Sequence, residues 1–190
     1  MKKSKITSML LSLVIAFGLW LYVVTNVSQE RVGALIVFAR EARLDEYFKT
    51  GTQIDGQVSE QLIRNIFFPK ASLHDGAMII RDGRIAAAGC VLPLSDSVRL
   101  SADLGTRHRA GVGMSEASDA VVVIVSEETG TISVAVGGML KRHLAAKTLE
   151  KLLHNELCPV EEVDREKNPI LWLKQKILAT TKEVDGYEEK

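Results

Sequence analysis

Two short loops carry most of the chemistry in this sequence: Leu73-His74-Asp75-Gly76-Ala77 and Leu104-Gly105-Thr106-Arg107-His108-Arg109. In the first, a carboxylate stands beside a glycine, where backbone can approach a ligand closely. In the second, Arg107, His108 and Arg109 place three phosphate-seeking side chains next to Thr106, a residue suited to cap a helix. Further on, Glu127 and Glu128 follow an apolar run. Either carboxylate near Asp75 would make a hard-oxygen site for Mg²⁺ or Mn²⁺, ions that share phosphate oxygens as ligands. Asp75 as an ordinary turn residue, Arg107 and Arg109 as a solvated face, and His108 as a structural histidine are the competing readings.

The surrounding pattern suggests how these residues are positioned. Gly33 to Ala39 and Ala120 to Val125 are continuous apolar runs, expected as buried central strands. Ala77 to Ile80 and Ile85 to Leu92 read as strands joined by Arg81-Asp82-Gly83-Arg84, and Asp-Gly is a tight-turn signal. This hairpin carries the Asp75 loop at its start. A helix is expected from Ser59 to Phe68, ended by Pro69, with Leu62, Ile63, Ile66 and Phe67 as its core stripe. A second runs from a Thr106 cap to about Glu116, which sets Arg107 and Arg109 where orphan N–H groups and the positive end of the helix dipole favour an anion. Thr131 to Val136 pairs back after a Thr129-Gly130 turn, and Gly137-Gly138 leads into a helix from about Leu140 to Leu157. Interleaved helices and hairpins imply an α/β fold, a mixed central β-sheet flanked by helices.

Composition narrows the function classes. The 190 residues are 46% hydrophobic, with Lys+Arg and Asp+Glu both at 24, so no global field favours a polyanion and a nucleic-acid partner is not expected. The two cysteines, Cys90 and Cys158, make no disulfide framework, and Cys90 sits in an apolar strand pattern. No histidine spacing suggests zinc, and neither a Walker loop nor a Gly-x-Gly-x-x-Gly fingerprint is present. Ser72, His74 and Asp75 lack the nucleophile elbow of a hydrolase.

The ends extend the domain. Ile6 to Val24 is almost wholly apolar, about 19 residues and roughly 28 Å as a helix, enough for one crossing, with Trp20 and Tyr22 suited to an interfacial belt. We read it as an uncleaved transmembrane helix. Lys2, Lys3 and Lys5 favour a cytoplasmic amino terminus and so an external domain. The expected organisation is an anchor at 1–28, a catalytic domain at 29–158, and a linker with an amphipathic helix at 159–190.

The Asp75-Gly76-Ala77 and Arg107-His108-Arg109 triplets in this order, with Gly33-Ala34-Leu35-Ile36 upstream and Ser126-Glu127-Glu128-Thr129-Gly130 downstream, resemble the diadenylate cyclase domain. The resemblance runs from about Arg31 to Glu156 and implies synthesis of cyclic di-AMP from two ATP with release of two pyrophosphates. It implies that Asp75 is a metal ligand that helps activate a ribose 3′-hydroxyl, with Glu128 assisting at the Mg²⁺ or Mn²⁺. Gly76 and Ala77 would shape the nucleotide loop, and Thr106, Arg107, His108 and Arg109 would hold phosphate. Leu92 would supply apolar contact to adenine, because Val91 stands where several membrane-type relatives carry an aromatic residue. The resemblance further implies a facing homodimer and, since ATP is the substrate, a cytoplasmic domain, against the flanking charges. Leu19 to Val24 resembles the anchor of a YbbR-type regulator, the membrane partner of such cyclases. A membrane-anchored adenine-nucleotide sensor and a regulatory scaffold are the alternatives without turnover.

Overall fold

The computed structural model describes residues 32–97, 100, 101 and 104–157. The apolar amino-terminal segment, the acidic linker and the last amphipathic segment lie outside these residues. Among those described, no helix is long and apolar enough to cross a membrane.

Seven strands form one sheet: β1 (Ala34–Phe38), β2 (Thr52–Gln57), β3 (Ala77–Arg81), β4 (Arg84–Cys90), β5 (Val121–Val125), β6 (Ile132–Val136) and β7 (Met139–Lys141), in the order β2-β4-β3-β1-β5-β6-β7. Only β1 and β3 pair in parallel, with Ile36 opposite Met78; every other neighbour is antiparallel. The sheet is therefore mixed. Among the described residues, four helices cover it: α1 (Asp45–Phe48), α2 (Glu60–Ile66), α3 (Thr106–Ala117) and α4 (Ala146–Leu157).

The strand period of two explains why β1 and β5 read as unbroken apolar runs. On one face, Ala34, Ile36, Val123 and Val125 pack with Ile63 and Ile66 of α2 and Leu149 and Leu153 of α4. On the other, Leu35, Val37, Val122 and Ile124 pack with Phe48 of α1 and Ala110, Val112 and Met114 of α3. Both faces are covered, so neither alternate set can be polar.

Local chemistry accounts for most boundaries. Ser59 is extended and accepts a hydrogen bond from Leu62 N, which caps α2 as expected. Asp82 and Gly83 have φ of 52° and 71°, the left-handed pair that closes a two-residue hairpin between β3 and β4. Gly137 and Gly138, at 55° and 77°, make the same kind of turn. They lead into β7 rather than directly into a helix, so Leu140 is a strand residue and α4 starts at Ala146. A second correction concerns α3: its N-cap is Gly105, not Thr106, which is already the first helical residue. Gly105 offers no side chain to the exposed N–H groups.

The run Ala110 to Ser115 in α3 is buried throughout, because small residues let the helix settle between sheet and loop. A methyl on Gly113 would stand 2.3 Å from Pro93 O, and Ser95 N donates to Arg109 O at 3.0 Å. These contacts fix where the first turn of α3 sits.

Candidate active site

Strand pairing brings three segments to one end of the sheet. Because β3 runs parallel to β1, the loop before β3 lies beside the start of β1. Because β5 runs antiparallel to β1, with Ala34 opposite Val125, the residues leaving β5 arrive at that same end. The first turn of α3 reaches it from the second face. The two loops singled out in the sequence accordingly meet.

Arg107 is the junction. Its Nη1 donates to Glu127 Oε2 at 2.6 Å, and its Nη2 lies 3.4 Å from His74 Nε2. His74 Nδ1 lies 3.2 Å from Phe67 O. A carbonyl can only accept and a guanidinium can only donate, so this geometry puts the His74 proton on Nδ1 and leaves Nε2 as the acceptor. The carboxylate that engages Arg107 is Glu127; its neighbour Glu128 is exposed. The sequence offers Glu127 and Glu128 alike as a carboxylate near Asp75 and His74 only as a histidine without zinc spacing; neither Glu127 nor His74 stands out there as a partner of Arg107. The signal available for both was position, Glu127 beyond a central strand and His74 next to Asp75.

Asp75 is exposed, and among the described residues its carboxylate has no hydrogen bond or ion pair. Gly76 follows at φ 117°, and a Cβ there would stand 2.7 Å from Gly89 C and 2.9 Å from Cys90 O. Glycine is required both by the backbone angle and by the close approach of β4. Ala77 is fully buried and opposes Cys90 at the start of β3, so the pair anchors the loop to the sheet. Burial pushes the Cys90 thiol up to about 11, the mark of an inert, packed cysteine.

The three residues Arg107, His108 and Arg109 point to different surroundings. His108 is buried, with Nε2 3.5 Å from Ser133 Oγ on β6, which ties the helix start to the sheet. Arg109 is half-buried, and among the described residues it has no ion-pair partner. Thr106 is exposed. Leu92 is 8% exposed within the second-face core, whereas its neighbours Val91 and Leu94 are 66% and 55% exposed.

No group of three or more metal-ligating side chains occurs among the described residues. An ion of the Mg²⁺ or Mn²⁺ kind takes one or two carboxylates and completes its shell with water and phosphate oxygens. The exposed carboxylate of Asp75 is of the chemical type such an ion takes.

A helix start that bears Arg107 and Arg109, an exposed carboxylate and a mixed sheet flanked by helices make an α/β domain with one corner chemically suited to a phosphate-bearing ligand. The chain belongs to the diadenylate cyclase domain family: the family model described as DisA bacterial checkpoint controller nucleotide-binding matches residues 22–140. It is 49% identical over 133 residues to a diadenylate cyclase of Listeria monocytogenes, covering 70% of this chain and 49% of that protein. It is 46% identical over 133 residues to the cyclic di-AMP synthase CdaA of Bacillus subtilis, again covering 70% and 49%. The chain thus spans about half the length of these relatives. A double mutant of DacA from Staphylococcus aureus matches with a TM-score of 0.73 and 48% identity, covering 74% of this chain and 94% of that one. A structure described as a hypothetical membrane spanning protein from Bacillus cereus matches at 0.65 and 38% identity, covering 67% and 63%.

Proposed function

We propose that this chain is a diadenylate cyclase that condenses two ATP into cyclic di-AMP and two pyrophosphates. The observation that carries the reading is the His74–Arg107 contact. It unites the Asp75-Gly76-Ala77 loop and the Arg107-His108-Arg109 helix start at one corner, in a chain whose relatives at 49% and 46% identity are named for this activity.

In the reaction, the ribose 3′-oxygen of one ATP attacks the α-phosphorus of the other, loses its proton, and displaces pyrophosphate as the bond to the β-phosphate bridging oxygen breaks. A second, reciprocal attack closes the ring. Arg109 supplies a charge-assisted phosphate contact, and Arg107 supplies another when phosphate replaces Glu127 on its fork. Thr106 adds a hydroxyl at the open helix start. His108 holds the first turn of α3 against β6, and with it the angle at which both arginines project. Gly76 and Ala77 set the loop height by packing on β4, while Val91, exposed beside the core residue Leu92, offers an apolar edge to the base. A divalent Mg²⁺ or Mn²⁺ held by Asp75, with Glu128 as a second carboxylate, would neutralise phosphate charge and lower the barrier to deprotonating the 3′-hydroxyl. The protein's own contribution is positioning and electrostatics; no covalent enzyme intermediate is needed.

One domain holds one ATP, so two domains face each other as a homodimer during turnover. The apolar segment Ile6 to Val24 anchors the chain in the membrane with the catalytic domain in the cytoplasm, and a YbbR-type regulator is the expected membrane partner. Confinement to a surface raises the effective concentration of facing domains.

The test is to incubate the full chain with ATP and Mn²⁺ or Mg²⁺ and measure cyclic di-AMP and pyrophosphate. Two pyrophosphates per cyclic di-AMP are expected, with activity per protomer rising with protein concentration. ATP binding without product would assign the sensor reading instead. Specific activity independent of dilution in a monomeric preparation would rule out the facing dimer.

A further inference from the structure

We propose that Gly33 is a positioning residue for the phosphate grip: the side chain it lacks is the space in which the Arg107 guanidinium lies. This inference rests on Arg107 as a phosphate ligand.

Gly33 is buried at the entry to β1, opposite the residues that leave β5. It is not among the residues with positive φ, so its backbone angle does not call for glycine. Glycine in extended backbone weakens a strand and often marks a place where another group approaches closely. Here the approaching group is Arg107. A methyl on Gly33 would stand 2.8 Å from Arg107 Nη1 and 2.9 Å from its Cζ, with Glu127 Cβ at 3.0 Å on the other side. Carbon and nitrogen pack at about 3.5–4.0 Å, so the methyl and the guanidinium cannot share this space.

What yields is the far end of a flexible side chain, whereas Glu127 Cβ is tied to the backbone. Gly33→Ala therefore leaves the strand pairing intact and moves the guanidinium away from both Glu127 and His74. The ion pair itself contributes little stability, since Glu127 is 57% exposed. The seat thus sets where Arg107 points rather than how firmly the domain folds. Glu127 holds the guanidinium in the seat until a phosphate takes its place.

A double-mutant cycle on the full chain tests this with wild type, G33A, R107A and G33A/R107A. Three quantities are read: the Arg107 Nε–H NMR signal without nucleotide, assigned by its loss in R107A; the ATP dissociation constant with Mg²⁺; and the melting temperature. G33A should shift the Nε–H signal and weaken ATP binding by about 3–10-fold, against about 10–100-fold for R107A. In the R107A background G33A should change ATP affinity by less than about twofold. Should G33A lower the melting temperature, R107A should restore it, because the collision partner is gone. An unmoved Nε–H signal in G33A, or losses that multiply in the double variant, would overturn the seat. A wild-type chain that neither binds ATP nor makes cyclic di-AMP would overturn the cyclase reading, and the ligand-free signal would still decide the seat.

Discussion

The antiparallel pair β1 and β5 carries an arginine with carboxylates at each end, and the two ends are wired differently. At the far end, Arg40 Nε donates to Asp119 O and its Nη1 to Glu156 O, with Glu156 Oε2 at 3.3 Å. Asp119 in turn accepts from the backbone N–H groups of Glu41 at 2.9 Å and Ala42 at 3.2 Å. At the near end, the hydrogen bonds of the Arg107 guanidinium among the described residues go to side chains, Glu127 and His74. An arginine bonded to main-chain carbonyls is committed, because releasing it strands backbone acceptors. An arginine held by an exposed carboxylate can be transferred to a phosphate with little loss. Arg40 ties α4 to the sheet, while Arg107 is available for a ligand.

The largest effect expected lies beside Arg107. Asp75→Asn removes an exposed charge, the proposed metal ligand, and no packing, so turnover should fall by about 10³-fold or more with an unchanged melting temperature, measured by cyclic di-AMP formation and thermal denaturation. Full activity in the folded variant would place the metal elsewhere. Next in size, Arg109→Ala should weaken ATP binding about 10–100-fold and reduce turnover as well, since a phosphate contact acts in both ground and transition states. An unchanged dissociation constant would show that Arg109 faces another group.

The committed end should respond in the opposite way. Arg40→Ala is expected to cost about 1–2 kcal/mol of stability in denaturant unfolding and to leave ATP affinity alone. A variant that loses ATP binding at wild-type stability would break the contrast between the two ends. The smallest effect concerns Cys90, on the β4 floor against which the Asp75 loop packs. In a Cys158→Ser background its thiol should resist alkylation at neutral pH until the protein unfolds. Its native pKa is raised to about 11 from 9.0, so the native state retains a proton that the unfolded chain has lost. Its contribution is complete below about pH 9 and fades as the pH rises to about 11. Stability that instead climbs across this interval would contradict a buried thiol.

Much of this was legible beforehand, for identifiable reasons. The unbroken apolar runs at β1 and β5 announced strands buried on both faces, and Asp82-Gly83 announced its hairpin through the left-handed angles such a turn demands. Gly137-Gly138 carries the same signal, but β7 spans only three residues, too few for alternation to stand out, so the sequence pattern runs the helix back to Leu140 where the structure starts it at Ala146. Thr106 looked like a cap by residue type, yet capping depends on which residue stays extended, and that is Gly105. The corner was partly visible as well: the loops that bear Asp75 and Arg107 stand out by chemistry and by family resemblance, whereas His74 and Glu127 do not stand out as partners of Arg107.

By itself the amino-acid sequence determined the α/β class, the positions of the central strands and the two loops that bear the reactive groups, because these depend on local pattern and residue type. Tertiary structure alone decided which groups meet. One parallel and one antiparallel neighbour of β1 bring residues 74, 107 and 127 to a single corner, and the missing side chain of Gly33 leaves the guanidinium its place there. Such contacts are set by strand direction and close packing between distant segments, which no local window of sequence contains.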